Sequence, residues 1–229
     1  MKDVAVDLAV LTVREHRLSA LLVRLPGSHW ALPSSAVGGA VTLEAAALDA
    51  LEEQTGVSGV TLEQLYTFDR GGGEGAGGRG LGVAYLALIA AERHPLAPGP
   101  GVVEVRWFPL ADLPALDAGA AEVLVYAHQR LRAKAAYAPI AFQLLPEAFT
   151  LGELQSVYEA VLESGLDTRN FRRDVLGAGV VEPVGRLREE GPGRPARLYR
   201  FTGGEFQVLA RERRIARAIR HRGDGGTEW

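Results

Sequence analysis

Arginine and asparagine are concentrated in one short segment, in which Arg169, Asn170, Arg172 and Arg173 lie within five positions. Arginine can bind O6 and N7 of guanine with two hydrogen bonds, and asparagine can bind N6 and N7 of adenine in the same way. These residue types near the start of a helix are typical of a helix that enters the major groove of DNA. Two simpler roles stay open at this point. Asn170 could cap the helix, and Arg173 could pair with the adjacent Asp174.

The charge of the chain is unevenly distributed. Residues 165–222 carry a net charge of +7, whereas residues 1–136 and 137–164 each carry −4 and the last seven carry −2. A basic C-terminal third favours a polyanionic partner such as nucleic acid. The alternative is a solvated surface rich in arginine, because lysine occurs only at Lys2 and Lys134 and the whole chain prefers arginine.

The helix that precedes the basic segment begins with a recognisable N-terminal cap. Thr150 and Glu153 form the T-x-x-E pattern of a capping box, and the amphipathic helix that follows ends before Gly165. Either Asp167 or Thr168 can cap the next helix. Helix, tight turn, basic helix and hairpin is the order of a winged helix-turn-helix.

Within the basic helix, we expect Phe171, Val175 and Leu176 to face inward and the polar residues to face outward. The hairpin is predicted from Val180–Leu187 and Ala196–Phe201. The candidate DNA-binding residues come from the helix and from the hairpin: Thr168, Arg169, Asn170, Arg172, Arg173, Arg194 and Arg197. A further basic helix is predicted from Glu205 to Arg220.

The N-terminal part alternates strands with few helices. A helix is predicted over Leu43–Thr55, with Thr42 as its N-cap and Gly56 as its C-cap. A second helix is predicted over Ala118–Ala136. The predicted strands are Val4–Val13, Ala20–Leu25, Leu62–Phe68, Leu81–Ala90 and Val102–Phe108. This order favours a mixed α+β domain over a doubly wound sheet.

The run Gly71–Gly80 lies between two of these strands. It lacks the G-K-[ST] ending of a phosphate-binding P-loop, and no helical pattern follows it. A flexible hairpin loop is therefore favoured over a phosphate cradle.

Other chemistry has little support in the sequence. The chain has no cysteine, and its five histidines show no paired spacing typical of metal ligands. We therefore expect no metal and no cofactor. No apolar run is long enough to span a bilayer, so we expect a cytoplasmic protein without a membrane partner.

Residues 32–57 resemble the Nudix box, G-x5-E-x7-R-E-U-x-E-E-x-G-U, without gaps. The positions that shape the fold match, whereas the positions that bind metal in Nudix hydrolases do not. Ser35 stands at the opening glycine and Asp49 at the arginine, and Val41, Ala50 and Gln54 replace three of the glutamates. Glu53 alone remains of the three carboxylates in R-E-U-x-E-E. Because one carboxylate rarely holds a hydrated divalent cation, we expect no hydrolase activity.

Further motifs extend the resemblance along nearly the whole chain. The runs LLP (144–146), FTL (149–151), ELQ (153–155), RNFRR (169–173) and GRPA (193–196) are similar to those of the NrtR group of Nudix-related transcriptional regulators. The resemblance implies a Nudix-type α/β/α sandwich with a mixed sheet, followed by a winged helix-turn-helix. It also implies a homodimer on a palindromic double-stranded DNA operator. The effector that it implies is a nucleotide such as ADP-ribose or another NAD-related compound, or else a sugar-type metabolite.

On this basis we predict a ligand-binding and dimerisation domain over residues 1–136 and a DNA-binding domain over residues 137–229. The candidate effector-binding residues are Arg24, Trp30, Glu53, Phe68, Arg70 and Arg79. Trp30 is also a candidate for the core, since buried aromatic residues usually only pack. Two other functions stay open: a Nudix hydrolase with an atypical site, and a DNA-binding dimer whose Nudix domain is purely structural.

Overall fold

The computed structural model describes residues 4–27, 29–39, 41–70, 80–135, 139–188 and 195–203. The chain divides into two compact units, Met1–Arg130 and Leu131–Trp229. The predicted boundary after Ala136 lies six residues beyond this division and stays a prediction. Among the described residues, no helix is both long enough and apolar enough to cross a bilayer.

The first unit is built on a mixed sheet of seven described strands. β1 runs parallel to β6, and the other neighbours are antiparallel. The order β3-β2-β1-β6-β5 forms the main path, while β4 pairs with β1 and β7 pairs with β2. The strands are β1 (Val4–Arg14), β2 (Arg17–Arg24), β3 (Trp30–Ala31), β4 (Ser34–Ala36), β5 (Leu62–Arg70), β6 (Gly80–Leu88) and β7 (Glu104–Pro109).

The predicted strands are present with shifted ends. β2 begins at Arg17, earlier than expected, because Glu15 and His16 both adopt positive φ and form a two-residue turn between Arg14 and Arg17. The short strands β3 and β4 had no sequence prediction, because two or three residues carry no detectable period.

Helix α1 (Leu43–Thr55) covers one face of the sheet. Its predicted caps are confirmed: the Thr42 side chain accepts a hydrogen bond from the backbone N–H of Ala45, and Gly56 adopts the left-handed conformation at φ +75°. The buried face of α1 packs with alternate residues of β1 in the main core, namely Val6, Leu8 and Val10. The intervening residues of β1 point to the opposite face of the sheet.

Helix α2 (Ala118–Ala135) lies on that opposite face. The rings of Tyr126 on α2 and Tyr66 on β5 have centroids 4.7 Å apart. One turn further along, Arg130 Nε donates to Glu63 Oε1 at 3.0 Å. The first unit thus has the α/β/α layering and the mixed sheet that the sequence predicted.

The second unit has the predicted helix, turn, helix and hairpin. Its elements are β8 (Phe149–Thr150), α3 (Leu151–Leu162), α4 (Thr168–Ala178), β9 (Val181–Arg188) and β10 (Ala196–Phe201), and its sheet order is β8-β10-β9. The capping box is confirmed: the backbone N–H of Glu153 donates to Thr150 Oγ1, and Glu153 Oε2 accepts from the backbone N–H of Thr150.

One predicted orientation is wrong. Phe171, Val175 and Ala178 form the buried face of α4, whereas Leu176 is 47% exposed. The buried residues follow the i, i+4, i+7 pattern of one helical face. Leu176 lies five positions after Phe171 and therefore projects about 140° away from it at 3.6 residues per turn.

Several predictions lie outside the described residues. They are Arg79 and nearly all of the glycine run 71–80, Arg194 in the hairpin turn, and the basic helix predicted over residues 205–220.

Candidate functional site

The turn between α3 and α4 is held by two side chains of α3. Gln155 Nε2 donates to the carbonyl oxygen of Leu166 at 3.1 Å, to Thr168 Oγ1 at 3.2 Å and to Glu159 Oε1 at 3.0 Å. Glu159 Oε1 also accepts from the backbone N–H of Leu166 at 2.8 Å. Because Gln155 is buried, water competes little for these bonds. The network positions the first residue of α4.

Asp167, and not Thr168, is the N-cap of α4. Its Oδ1 accepts from the backbone N–H of Asn170 at 2.9 Å, so Asn170 lies inside the first turn with an exposed side chain and is not the cap. Thr168 holds part of the turn through its hydroxyl. The N-terminal turn of α4 therefore presents Arg169 and Asn170 to solvent.

The outward face of α4 is basic. Arg169, Arg172 and Arg173 are all exposed. Arg173 Nε also donates to Asp174 Oδ1 at 3.0 Å, and its side chain remains 69% exposed. An exposed ion pair of this kind contributes little to stability, so it leaves Arg173 available to a stronger anionic partner.

The strands of the hairpin carry arginines in different settings. Arg197 on β10 is exposed. Arg188 on β9 is bound instead to Glu153 of the capping box and to the carbonyl oxygen of Ala148, which ties the hairpin to the start of α3. Arg197 is therefore open to solvent, whereas Arg188 is held within the unit.

At one edge of the first unit's sheet, two predicted effector-binding residues come together. The guanidinium of Arg24 on β2 lies 5.5 Å from the centre of the Trp30 ring on β3. Arg106 on β7 lies 5.8 Å from the same ring, and Glu104 forms ion pairs with both arginines. The hydrogen bond from Arg24, with the positive charge of Arg106, holds the pKa of Glu104 below its ordinary value. The cluster is a stacked arrangement of cations around an aromatic ring.

Two more predicted residues, Phe68 and Arg70, lie on β5 at the other edge. The ring of Phe68 covers Gly82 on β6, where an added Cβ would lie 2.4 Å from it. Arg70 forms an ion pair with the buried Asp7 of β1 through Oδ1, while Asp7 Oδ2 has no hydrogen-bond partner. Burial raises the pKa of Asp7 and outweighs the opposing effect of Arg70. This carboxylate is therefore an acceptor with one unused oxygen.

The predicted effector-binding residues therefore form two groups and not one cluster. Arg24 and Trp30 are separated from Phe68 and Arg70 by the intervening strands β1 and β6. β2 pairs with β1 over Leu11–Arg14, but Arg24 itself pairs with β3 and the Asp7 end of β1 pairs with β4, so the two groups lie at least three strand spacings, or about 14 Å, apart. The pairings Leu11–Ala20 and Ala5–Gly82 nevertheless place both groups on the same face of the sheet, opposite α1. Glu53 lies apart from both groups, exposed on α1.

The metal-binding positions of the Nudix box do not fit a divalent cation here. Gln54 Nε2 donates to the carbonyl oxygen of Ser34 at 2.7 Å, and its Oε1 accepts from the backbone N–H of Ser34 at 3.3 Å. Both ends of this amide are thus used to hold α1 against β4. Ala50 is buried and Val41 has no ligand atom, so Glu53 is the single carboxylate of the set. No group of three metal-ligating side chains occurs among the described residues.

Asp7 and Gln155 were not among the residues predicted from sequence. A signal existed for Asp7, because it is the single charged residue within the aliphatic segment Val4–Val13. No comparable signal existed for Gln155, because glutamine in an amphipathic helix is ordinarily a surface residue.

Comparisons with known proteins agree with this division into a Nudix-type unit and a winged helix. Residues 1–128 match the NUDIX domain family, and residues 141–201 match the family described as the NrtR DNA-binding winged helix domain. The ADPR-responsive transcriptional repressor NtrR of Acinetobacter baylyi is 33% identical over 208 residues, covering 86% of this chain and 80% of the relative.

Two solved structures are similar as well. Shewanella oneidensis NrtR in complex with a 27mer DNA has a TM-score of 0.74 and 32% identity, over 87% of this chain and 93% of that one. The NUDIX domain of the same protein in complex with ADP ribose has a TM-score of 0.50 and 28% identity, over 57% of this chain and 89% of that one.

The chain is a Nudix-related, DNA-binding transcriptional regulator, as its fold, its basic helix α4 and its altered Nudix box together indicate. Within that class, the chain belongs to the NrtR family.

Proposed function

We propose that this chain is a transcriptional repressor that binds a palindromic operator as a homodimer in the cytoplasm and is controlled by ADP-ribose or a closely related nucleotide. The observation that carries the DNA-binding part is the outward face of α4, which presents Arg169, Asn170, Arg172 and Arg173 while its other face is anchored in the core. The relatives named above support the same reading: one is a repressor, and one was solved with DNA.

The contacts to DNA divide into two kinds. Arg169, Asn170 and Arg172 project from the first turns of α4, where base edges are read. Arg197, with Arg194 of the hairpin turn, would meet phosphates and contribute affinity without sequence preference. Thr168 is already engaged by Gln155, so its contribution to DNA binding would be to position the helix.

The test of DNA binding uses the full chain and an operator selected from random DNA. Replacing Arg172 or Asn170 by alanine should weaken operator binding by about 1–3 kcal/mol and relax sequence preference at one position per half-site. Replacing Arg197 by alanine should weaken binding to all DNA sequences similarly. It should also reduce the slope of log affinity against log salt concentration by about one unit. Arg14→Ala is the matched control, because this exposed arginine lies in the first unit, at the end of β1. Parent-like operator binding by the combined R169A, N170A, R172A and R173A variant would show that α4 is not the recognition helix.

The sensing part of the proposal depends on the two residue groups on one face of the sheet. ADP-ribose has two ribose units joined by a pyrophosphate, so it is extended enough to reach from one group to the other. Arginines 24, 70 and 79 suit the pyrophosphate, and Trp30 and Phe68 suit the adenine ring. This proposed site leaves out Glu53, because α1 lies on the other face of the sheet.

The sensing test measures ADP-ribose binding and its effect on the operator complex. ADP-ribose should raise the melting temperature, because a ligand that binds the folded state stabilises it, and should change operator affinity. Arg24→Ala and Arg70→Ala should each weaken this response, and Arg14→Ala should not. If only one of the two variants loses the response, the ligand occupies that group alone. If NAD metabolites and sugars give no response at all, the Nudix unit serves only as a structural module for the dimer.

We further propose that the Nudix unit does not hydrolyse its ligand. The support is the use of Gln54 as a backbone clamp, together with the loss of ligand atoms at Val41 and Ala50. ADP-ribose and diadenosine polyphosphates should be recovered intact after incubation with magnesium or manganese. Turnover at about 1 per second or faster, within the ordinary range of enzymes, would instead establish the alternative of an atypical hydrolase.

A further inference from the structure

The third turn of α4 carries an apolar side chain on its basic face. Leu176 is 47% exposed and lies at i+7 from Arg169 and i+4 from Arg172, which places all three on one side of the helix. The adjacent Gly177 leaves this side open, since an added Cβ there would meet no heavy atom of the described residues within 4 Å. A single exposed leucine is ordinary on a protein surface. Leu176, however, lies among the arginines on the outward face of a proposed recognition helix, where DNA would contact it.

The major groove offers one apolar group on its base edges, the C5-methyl group of thymine. We propose that Leu176 contacts this methyl group and so specifies thymine at one position of each half-site. The inference rests on the proposed DNA-binding function and adds to it an apolar contact between the arginine contacts. The charge of Arg169, Arg172 and Arg173 argues for DNA as the occupant of this face, because an apolar protein surface would offer these guanidinium groups no anionic partner.

The geometry of α4 allows the contact and predicts its place. The helix has 11 residues, which span about 16 Å, and a recognition helix that lies along the major groove keeps its third turn beside the base edges. Leu176 is seven residues beyond Arg169, or about 10 Å along the axis. At 3.4 Å per base pair, the thymine should lie about three base pairs from the position that Arg169 reads.

The experiment replaces each thymine of the selected operator by deoxyuridine, one at a time, which removes only the methyl group. At one thymine of each half-site, deoxyuridine should lower the affinity of the full-length parent about fourfold. This is the value expected when one buried methyl group is removed. Leu176→Ala should bind the unmodified operator more weakly by at least the same factor and should be insensitive to deoxyuridine at that thymine. Arg169→Ala, tested on operators with base changes, marks the reference position.

Two controls keep the result interpretable. Leu176→Ala should have the same melting temperature as the parent, because it replaces an exposed leucine in a helix by alanine, the strongest helix former. Leu187→Ala removes another exposed leucine of the same unit, on β9, and should keep the parent's sensitivity to deoxyuridine at the thymine in question.

The inference is overturned if no thymine shows coupling with Leu176, or if Leu176→Ala binds the unmodified operator as tightly as the parent. A Leu176→Ala variant that is weaker but still sensitive to every deoxyuridine would place the side chain against the sugar–phosphate backbone, which also overturns it. A parent that selects no operator would refute the proposed DNA-binding function itself and this contact with it.

Discussion

Replacing Gln54 by glutamate would restore one carboxylate of the Nudix box, yet it should destabilise the first unit. Gln54 donates to the carbonyl oxygen of Ser34 at 2.7 Å and accepts from its N–H at 3.3 Å. A carboxylate can still accept from that N–H, but it cannot donate. It would also place a negatively charged oxygen against the carbonyl oxygen of Ser34.

The expected loss follows from these two contacts. One missing hydrogen bond costs about 1 kcal/mol net, and the half-buried carbonyl that is left facing an acceptor costs about 1 kcal/mol more. A total of about 2 kcal/mol lowers the melting temperature of a unit of this size by roughly 6–10 °C.

The loss should depend on pH. The protonated carboxyl group can donate to Ser34 again, so folding raises its pKa above the unfolded value of about 4.3. A group whose pKa is raised on folding gives stability that is present below the unfolded pKa and is lost as pH rises through the folded pKa. Parent and variant should therefore converge as pH falls from 8 towards about 4.5.

Thermal unfolding followed by tryptophan fluorescence is a suitable assay, because Trp30 and Trp107 both lie in the first unit. Glu53→Gln is the matched control: it changes the charge of the exposed neighbouring side chain and should shift the melting temperature little. The reasoning is refuted if Gln54→Glu melts within about 1 °C of the parent at pH 8, where the expected shift is several times larger. A large loss that does not change with pH would refute it equally.

Three other substitutions test features that only the structure shows. Gln155→Met keeps the side-chain size but removes the donor to Leu166 and Thr168, so urea unfolding of the second unit should show a loss of about 1–3 kcal/mol; an unchanged midpoint would contradict the network. Asp7→Asn removes a carboxyl group whose pKa burial raises, so unfolding free energy should fall less between pH 4 and 7 than in the parent; parallel pH curves would contradict this. Glu163→Gly relieves a left-handed residue at φ +53° and should raise stability by about 1 kcal/mol in thermal unfolding, whereas Glu163→Ala should not.

Much of the local structure could be predicted from the sequence. The capping box at Thr150, the caps of α1 and the basic face of α4 are each defined within a few residues, where the hydrogen-bonding groups and the helical period act directly. The loss of metal ligands in the Nudix box is likewise a matter of residue type. The orientation of Leu176 was the exception: its apolar character predicted burial, but the helical period places it on the solvent side.

Only the tertiary structure decided which distant residues meet. Arg70 reaches Asp7 across 63 positions and Arg24 reaches Glu104 across 80, because strand order and register bring them together. The same order separates the predicted effector-binding residues into two groups, with β2 and β5 at different places in one sheet. Gln54 became a clamp because β4 lies beside the end of α1. Such contacts depend on which strands pair over long sequence separations. The local conformational preferences of the residues do not determine that pairing.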